Sequence, residues 1–128
     1  MRVAHGNDDR DIELLLRDPG FARMAADSIQ ALSTPSRLRI LAHLHAGPAS
    51  VNEIAGSVGM EGSAVSHQLR MLRHLGLVVG QRDGRRVVYA LHDDHVADLL
   101  EQVVSHVQHL RLGLAGRERT SETAGARS

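Results

Sequence analysis

The 128-residue chain has no cysteine, no tryptophan and no lysine, and Phe21 and Tyr89 are its only other aromatic side chains apart from histidine. Without thiols there can be no disulfide scaffold, thiolate metal site, cysteine nucleophile or thiol redox sensor, so histidine, present nine times, is the remaining soft metal ligand. The scarcity of aromatics leaves a core of Leu, Val, Ile and Ala, which favours packed helices. No apolar run approaches the roughly 20 residues needed to cross a bilayer, and the first residues lack the apolar block of a signal peptide. There is no Gly-x-Ser-x-Gly elbow, phosphate loop or His-Glu-x-x-His pair, so neither an enzyme nor a small-molecule substrate is expected. The length suits one domain. The expectation is a cytoplasmic protein with no membrane association.

Fifteen basic and fifteen acidic residues cancel, but they are segregated. Over residues 33–90 seven arginines face three carboxylates, a net of +4, whereas residues 1–32 carry −2 and 91–111 carry −3. A basic middle is framed by acidic ends. Every Lys/Arg-type cation is arginine, whose planar fork suits phosphates and guanine edges.

Apolar spacing predicts the elements. Residues 1–20 form a polar leader, disordered or with one short helix around Ile12–Leu16, broken at Pro19-Gly20. Helices follow from Phe21 to Leu32 and from Ser36 to Ala46. Val51, Ile54, Ala55 and Val58 mark a short helix ended by Gly59, and Ser63–Leu75 makes the next, with Val65, Leu69 and Leu72 inward. Leu77–Arg82 and Arg86–Leu91 read as strands joined through Asp83-Gly84-Arg85, a hairpin signal. A last helix fits Asp94–Arg111, with Asp94 as its N-cap. The domain proper spans 21–112, and 113–128 reads as a flexible tail.

This order, mainly α with a small β-hairpin, is that of a winged helix-turn-helix, whose second helix enters the major groove. Ser63, Ser66, His67 and Gln68 at the start of that helix are short or planar hydrogen-bonding groups able to reach base edges. Arg70, Arg73, Arg85 and Arg86 would meet phosphates. Double-stranded operator DNA is the expected partner. The runs Ala31-Leu-Ser-Thr-Pro-Ser-Arg-Leu-Arg-Ile-Leu41, Ser63-Ala-Val-Ser-His-Gln-Leu-Arg-Met-Leu-Arg-His-Leu-Gly-Leu-Val78 and Gly84-Arg-Arg-Val-Val-Tyr-Ala-Leu91 resemble the ArsR/SmtB family of metal-responsive repressors over roughly residues 24–115. The resemblance implies that Ser63, Ser66 and His67 touch the operator and that the Asp83–Arg86 tip reaches the minor groove.

The acidic last helix carries Asp93-x-His95 and, ten residues on, His106-x-x-His109. Eleven residues separate His95 from His106 by about 16 Å along a helix axis but return them to within about 20° of one face. One helix cannot close such a site. Two copies paired antiparallel about a two-fold axis near residues 100–102 would set Asp93 and His95 of one against His106 and His109 of the other, giving two equivalent sites per homodimer. Three imidazoles and a carboxylate suit nickel, cobalt or zinc and argue against copper(I), cadmium or arsenite.

The same spacing is the resembled family's last-helix ligand pattern. Over residues 31–115 the chain is most similar to that family's nickel- and cobalt-sensing branch, in which further ligands come from the N-terminal segment and from beyond the last paired histidine. Here His5 could add a nitrogen, while Arg111 and Glu118 occupy the later positions. Nickel or cobalt is favoured. The alternatives are a zinc sensor of the same fold, a winged-helix regulator whose metal site is structural, and, at the far end, a metal-dependent hydrolase. His43, His45, His74 and His92 are expected to be solvated or packing residues.

Overall fold

The computed structural model describes residues 6–126, with side-chain surroundings for 11–114 and 116. The elements run α1 (Gly6–Arg17), α2 (Pro19–Gln30), α3 (Pro35–Ala46), β1 (Ala49–Ser50), α4 (Val51–Val58), α5 (Gly62–His74), β2 (Val78–Asp83), β3 (Arg86–Leu91) and α6 (Asp94–Ala126). Among the described residues no helix is long and apolar enough to cross a membrane.

Capping chemistry explains most boundaries. Pro19 does not simply break the chain. Asp18 accepts a hydrogen bond from the Phe21 N–H at 3.1 Å, and Pro19 occupies the first turn of α2, where its missing N–H costs nothing. The leader therefore contains a helix, and α2 begins two residues before the expected Phe21. Thr34 and Pro35 repeat the device at α3. Ser50 and Glu53 cap α4 reciprocally, and Gly59 closes it at φ +69°, a left-handed conformation that glycine adopts without strain.

The wing is a three-stranded antiparallel sheet in the order β1-β3-β2, not a bare hairpin, because β1 adds two residues that pair Ala49 with Tyr89 and Ser50 with Val88. Strand β2 starts at Val78, one residue later than expected. Gly80 lies opposite Tyr89, and a Cβ there would sit 3.1 Å from the tyrosine ring, so the ring lies over the glycine.

One core ties these elements together. Ile40, Leu41, Ile54, Val65, Leu69 and Leu72 are fully buried, joined by Leu44, Val78, Val96 and Leu100. Helix α6 contributes only its first two turns to this core and continues through Gly113 and Gly116 to Ala126, past the Arg111 end read from the apolar spacing. An isolated glycine lowers helix propensity by about 1 kcal/mol but does not forbid continuation. From Glu101 to Leu114 every side chain is exposed, including Val104, Val107, Leu110 and Leu112.

Candidate nucleic-acid interface and metal-ligand face

Helices α4 and α5 are joined by Gly59-Met60-Glu61, a turn short enough to set them as a helix-turn-helix. The first turn of α5 has no side-chain cap: Glu61 occupies the N-cap position without a cap hydrogen bond. Ser63 sits inside this turn, not at the cap. A helix start left in this state offers backbone N–H groups and the positive end of its dipole to an anion. Because Val65, Leu69 and Leu72 point into the core, Ser63, His67, Arg70 and Arg73 are turned outward and exposed, with Ser66 half-buried beside them. A shallow groove of about 470 Å³ runs along this outer face between His67, Arg70, Met71, His74 and Leu75.

Two residues assigned to DNA on sequence grounds have partners within the fold. The Gln68 Oε1 accepts from Arg37 Nε at 2.6 Å, so one acceptor position of its carbonyl is already taken within the fold. Arg86 Nη1 donates to Glu53 Oε1 at 3.2 Å, which ties the tip end of β3 to the first turn of α4. Hydrogen bonds from the Ser50 hydroxyl and backbone N–H, aided by the charge of Arg86, hold the Glu53 carboxyl below the usual range. With its folded pKa depressed, this contact contributes above the ordinary glutamate pKa and is lost as pH falls through the depressed value. Arg82 and Arg85 remain exposed at the tip, where Gly84 takes φ +65° in the two-residue turn.

Removal of base-reading groups and of tip charge should therefore separate. Ser66→Ala or His67→Ala is expected to cost about 1–3 kcal/mol at a specific operator. Arg85→Ala should weaken all sequences alike and lower the salt slope by about 1. Titrations on specific and random duplexes at several salt concentrations measure both effects, and an unaltered operator affinity for His67→Ala would refute this orientation of α5.

At the other end of the molecule, Asp93, not Asp94, caps α6. Its Oδ1 accepts from the backbone N–H groups of His95 and Val96 at 3.0 and 3.3 Å, because a short side chain just before the helix can reach the unpaired N–H groups of the first turn. Its Oδ2 accepts from His92 Nδ1 at 2.9 Å. The His92 hydrogen bond is the chief reason the Asp93 carboxyl titrates below its usual range, with the Val96 N–H and the nearby His95 adding to it. His92 is exposed, as expected, and is also engaged with Asp93. His45 is also engaged, 3.0 Å from Glu101 Oε1 across α3 and α6.

The His95 side chain is 94% exposed, with Nδ1 3.5 Å from Asp93. His106 and His109 stand exposed further along α6. Among the described residues no three His, Asp or Glu side chains of one chain come together as a metal site. His5 lies outside the described residues. The donor types fit a divalent ion, and their exposure leaves them accessible to a second molecule.

Comparisons with known proteins agree with the helix-turn-helix and its wing. The pattern of the "bacterial regulatory protein, arsR family" matches residues 34–79, which run from the cap of α3 into β2. The chain is 51% identical over 115 residues to the HTH-type transcriptional regulator NmtR of Mycobacterium tuberculosis, covering 90% of this chain and 96% of that one. The solution structure of apo-NmtR superposes with a TM-score of 0.63 at 55% identity, over 72% of this chain and 77% of the other. A homodimeric winged helix-turn-helix DNA-binding domain from Mycobacterium bovis, described as a possible ArsR-family regulator, gives 0.68 at 34% identity, over 73% and 88%.

Proposed function

The chain belongs to the arsR family of bacterial regulatory proteins, DNA-binding transcriptional regulators and not enzymes, and from that membership we propose a homodimeric repressor that releases its operator when a divalent metal binds between the last helices of two copies. The observation that carries this reading is the uncovered face of α6, on which apolar side chains and metal-ligand types alternate. Val103, Val104, Val107 and Leu110 are exposed there, and an apolar groove of about 590 Å³ between α3 and α6 is lined by Leu38, Ala42, Leu100, Val103 and Val104. Phe21, Met24 and Ile29 of α2 are exposed as well. Apolar surface on this scale is a burden for a monomer and suits a subunit interface.

In an antiparallel pairing of α6, Asp93 and His95 of one chain meet His106 and His109 of the other. Asp93 would offer Oδ2, now on His92, while Oδ1 keeps the helix cap. The imidazoles of His106 and His109, one turn apart, would offer a nitrogen each. When bound, the ion supplies a bond between the two α6 helices. Ligation releases DNA only if it favours the arrangement with the lower operator affinity. Nickel or cobalt is the favoured ion, with His5 as an added donor, and a repressor acting on chromosomal DNA would work in the cytoplasm.

Two measurements test the reading. Sedimentation should show a dimer with and without metal at micromolar concentration, and a monomer under both conditions refutes it. Cobalt(II) absorption reports coordination number, since six-coordinate sites absorb weakly and four-coordinate sites strongly. A weak spectrum altered by His5→Ala is expected, whereas an intense tetrahedral spectrum indifferent to His5→Ala reassigns the site to zinc.

A further inference from the structure

Arg37 stands where three elements meet. It leaves the first turn of α3, where its own N–H donates to Thr34 Oγ1 at 3.3 Å, and its side chain is half-buried. Nε donates to Gln68 Oε1 on α5 at 2.6 Å, Nη1 points to the carbonyl of Ala31, the C-cap of α2, at 3.5 Å, and Nη2 lies 3.6 Å from Sδ of Met71. Gln68 and Met71 are one turn apart on α5, so the guanidinium grips that helix at two points and the end of α2 at a third.

All three acceptors are neutral. The arrangement therefore gains little from charge pairing and much from geometry, because the donors of a guanidinium are fixed in one plane. The core side chains Val65, Leu69 and Leu72 hold α5 from below. A cylinder packed on aliphatic residues can still roll or slide by small amounts. A short polar bond from outside the core row fixes that remaining freedom.

We propose that Arg37 is a positioning residue for DNA reading: through Gln68 and Met71 it sets the angle of α5 against α2, and so the direction in which Ser63, Ser66 and His67 leave the surface. Gln68 then serves as the anchor point on α5 and not as a base-reading group. The inference rests on the reading of α5 as the DNA-reading helix.

The test is a double-mutant cycle on the full chain. The probes are the duplex that the parent chain enriches from a random-sequence pool and a scrambled duplex of the same composition, at one salt concentration, with thermal unfolding followed in parallel. Arg37→Ala and Gln68→Ala should each lower affinity for the enriched duplex roughly tenfold, leave the scrambled duplex within about twofold, and lose no more when combined, since either change opens the same clamp. Arg37→Lys should behave like Arg37→Ala, because one ammonium cannot hold three divergent acceptors. Losses that multiply in the double variant overturn the clamp and return Gln68 to direct DNA contact. Equal losses on both duplexes overturn it in favour of a phosphate contact or a general structural role. If Arg37→Ala fails to fold, Arg37→Lys takes its place in the cycle with Gln68→Ala, which removes no buried apolar group. A parent chain that enriches no sequence overturns the reading of α5 together with this proposal, whereas enrichment with multiplying losses overturns this proposal alone.

Discussion

A His106→Ala protein is expected to bind its operator as tightly as the parent chain does without metal, and to remain bound when nickel or cobalt is added. His106 lies on the exposed stretch of α6, away from the buried core and from the α5 face, so its removal leaves DNA reading intact. What it would remove, on the proposed function, is one donor from each of the two equivalent sites. In the parent chain a coupling of about 1–3 kcal/mol, or about 5–150-fold in operator affinity, is the ordinary range for such a switch, and in the variant the ratio should fall to about one. Anisotropy of a labelled operator during a metal titration reads both numbers. Loss of DNA binding by His106→Ala in the absence of metal would instead make the site a structural staple.

Asp93 needs a subtler substitution, because the carboxylate proposed as a metal ligand is also the one that caps α6. Asp93→Ala would remove a ligand and also the cap on the His95 and Val96 N–H groups, a loss of about 0.5–2 kcal/mol at the start of a helix that enters the core with Val96. Asp93→Asn retains an oxygen to cap the helix and discards the charge that attracts a cation. The asparagine variant should therefore resemble His106→Ala in metal response while keeping parental stability.

The parts of the molecule that follow from local chemistry were legible in the sequence, and the parts that depend on distant partners were not. Val51, Ile54 and Val58 with Gly59 announce α4, and Asp83-Gly84 announces the hairpin, because apolar period and turn chemistry act over a few residues. Strand β1 is two residues long and has no period to detect; only its pairing with Tyr89 and Val88 on β3 defines it. Pro19 reads equally as a breaker or as a first-turn residue, and Asp18 decides between them. Asp93 and Asp94 are both competent caps, and one residue of register separates the two outcomes. Gln68 looked free because its partner, Arg37, lies 31 residues away in the chain. The spacing of the proposed ligands along α6 was plain, yet the site they would form closes only between two molecules and not within the fold of one.

The largest stability loss should come from the buried side of the reading helix. Leu69 is fully buried between Val65 and Leu72 on the core face of α5. Leu69→Ala deletes three side-chain carbons, Cγ and its two methyl groups, from a close-packed interior that can only partly collapse, at a cost of about 2–5 kcal/mol. A domain of this size has about 5–15 kcal/mol in total, so the variant keeps a large unfolded fraction under mild denaturant. Urea unfolding should show a lower midpoint with an unchanged slope, and affinity for enriched and scrambled duplexes should fall in parallel as folded protein is lost. Ser66→Ala, on the half-buried flank three residues before, should leave the midpoint in place and weaken the enriched duplex alone. The same helix thus carries two kinds of residue a few ångströms apart, and the pair of variants tells whether a loss of DNA binding came from a missing contact or from a missing fold.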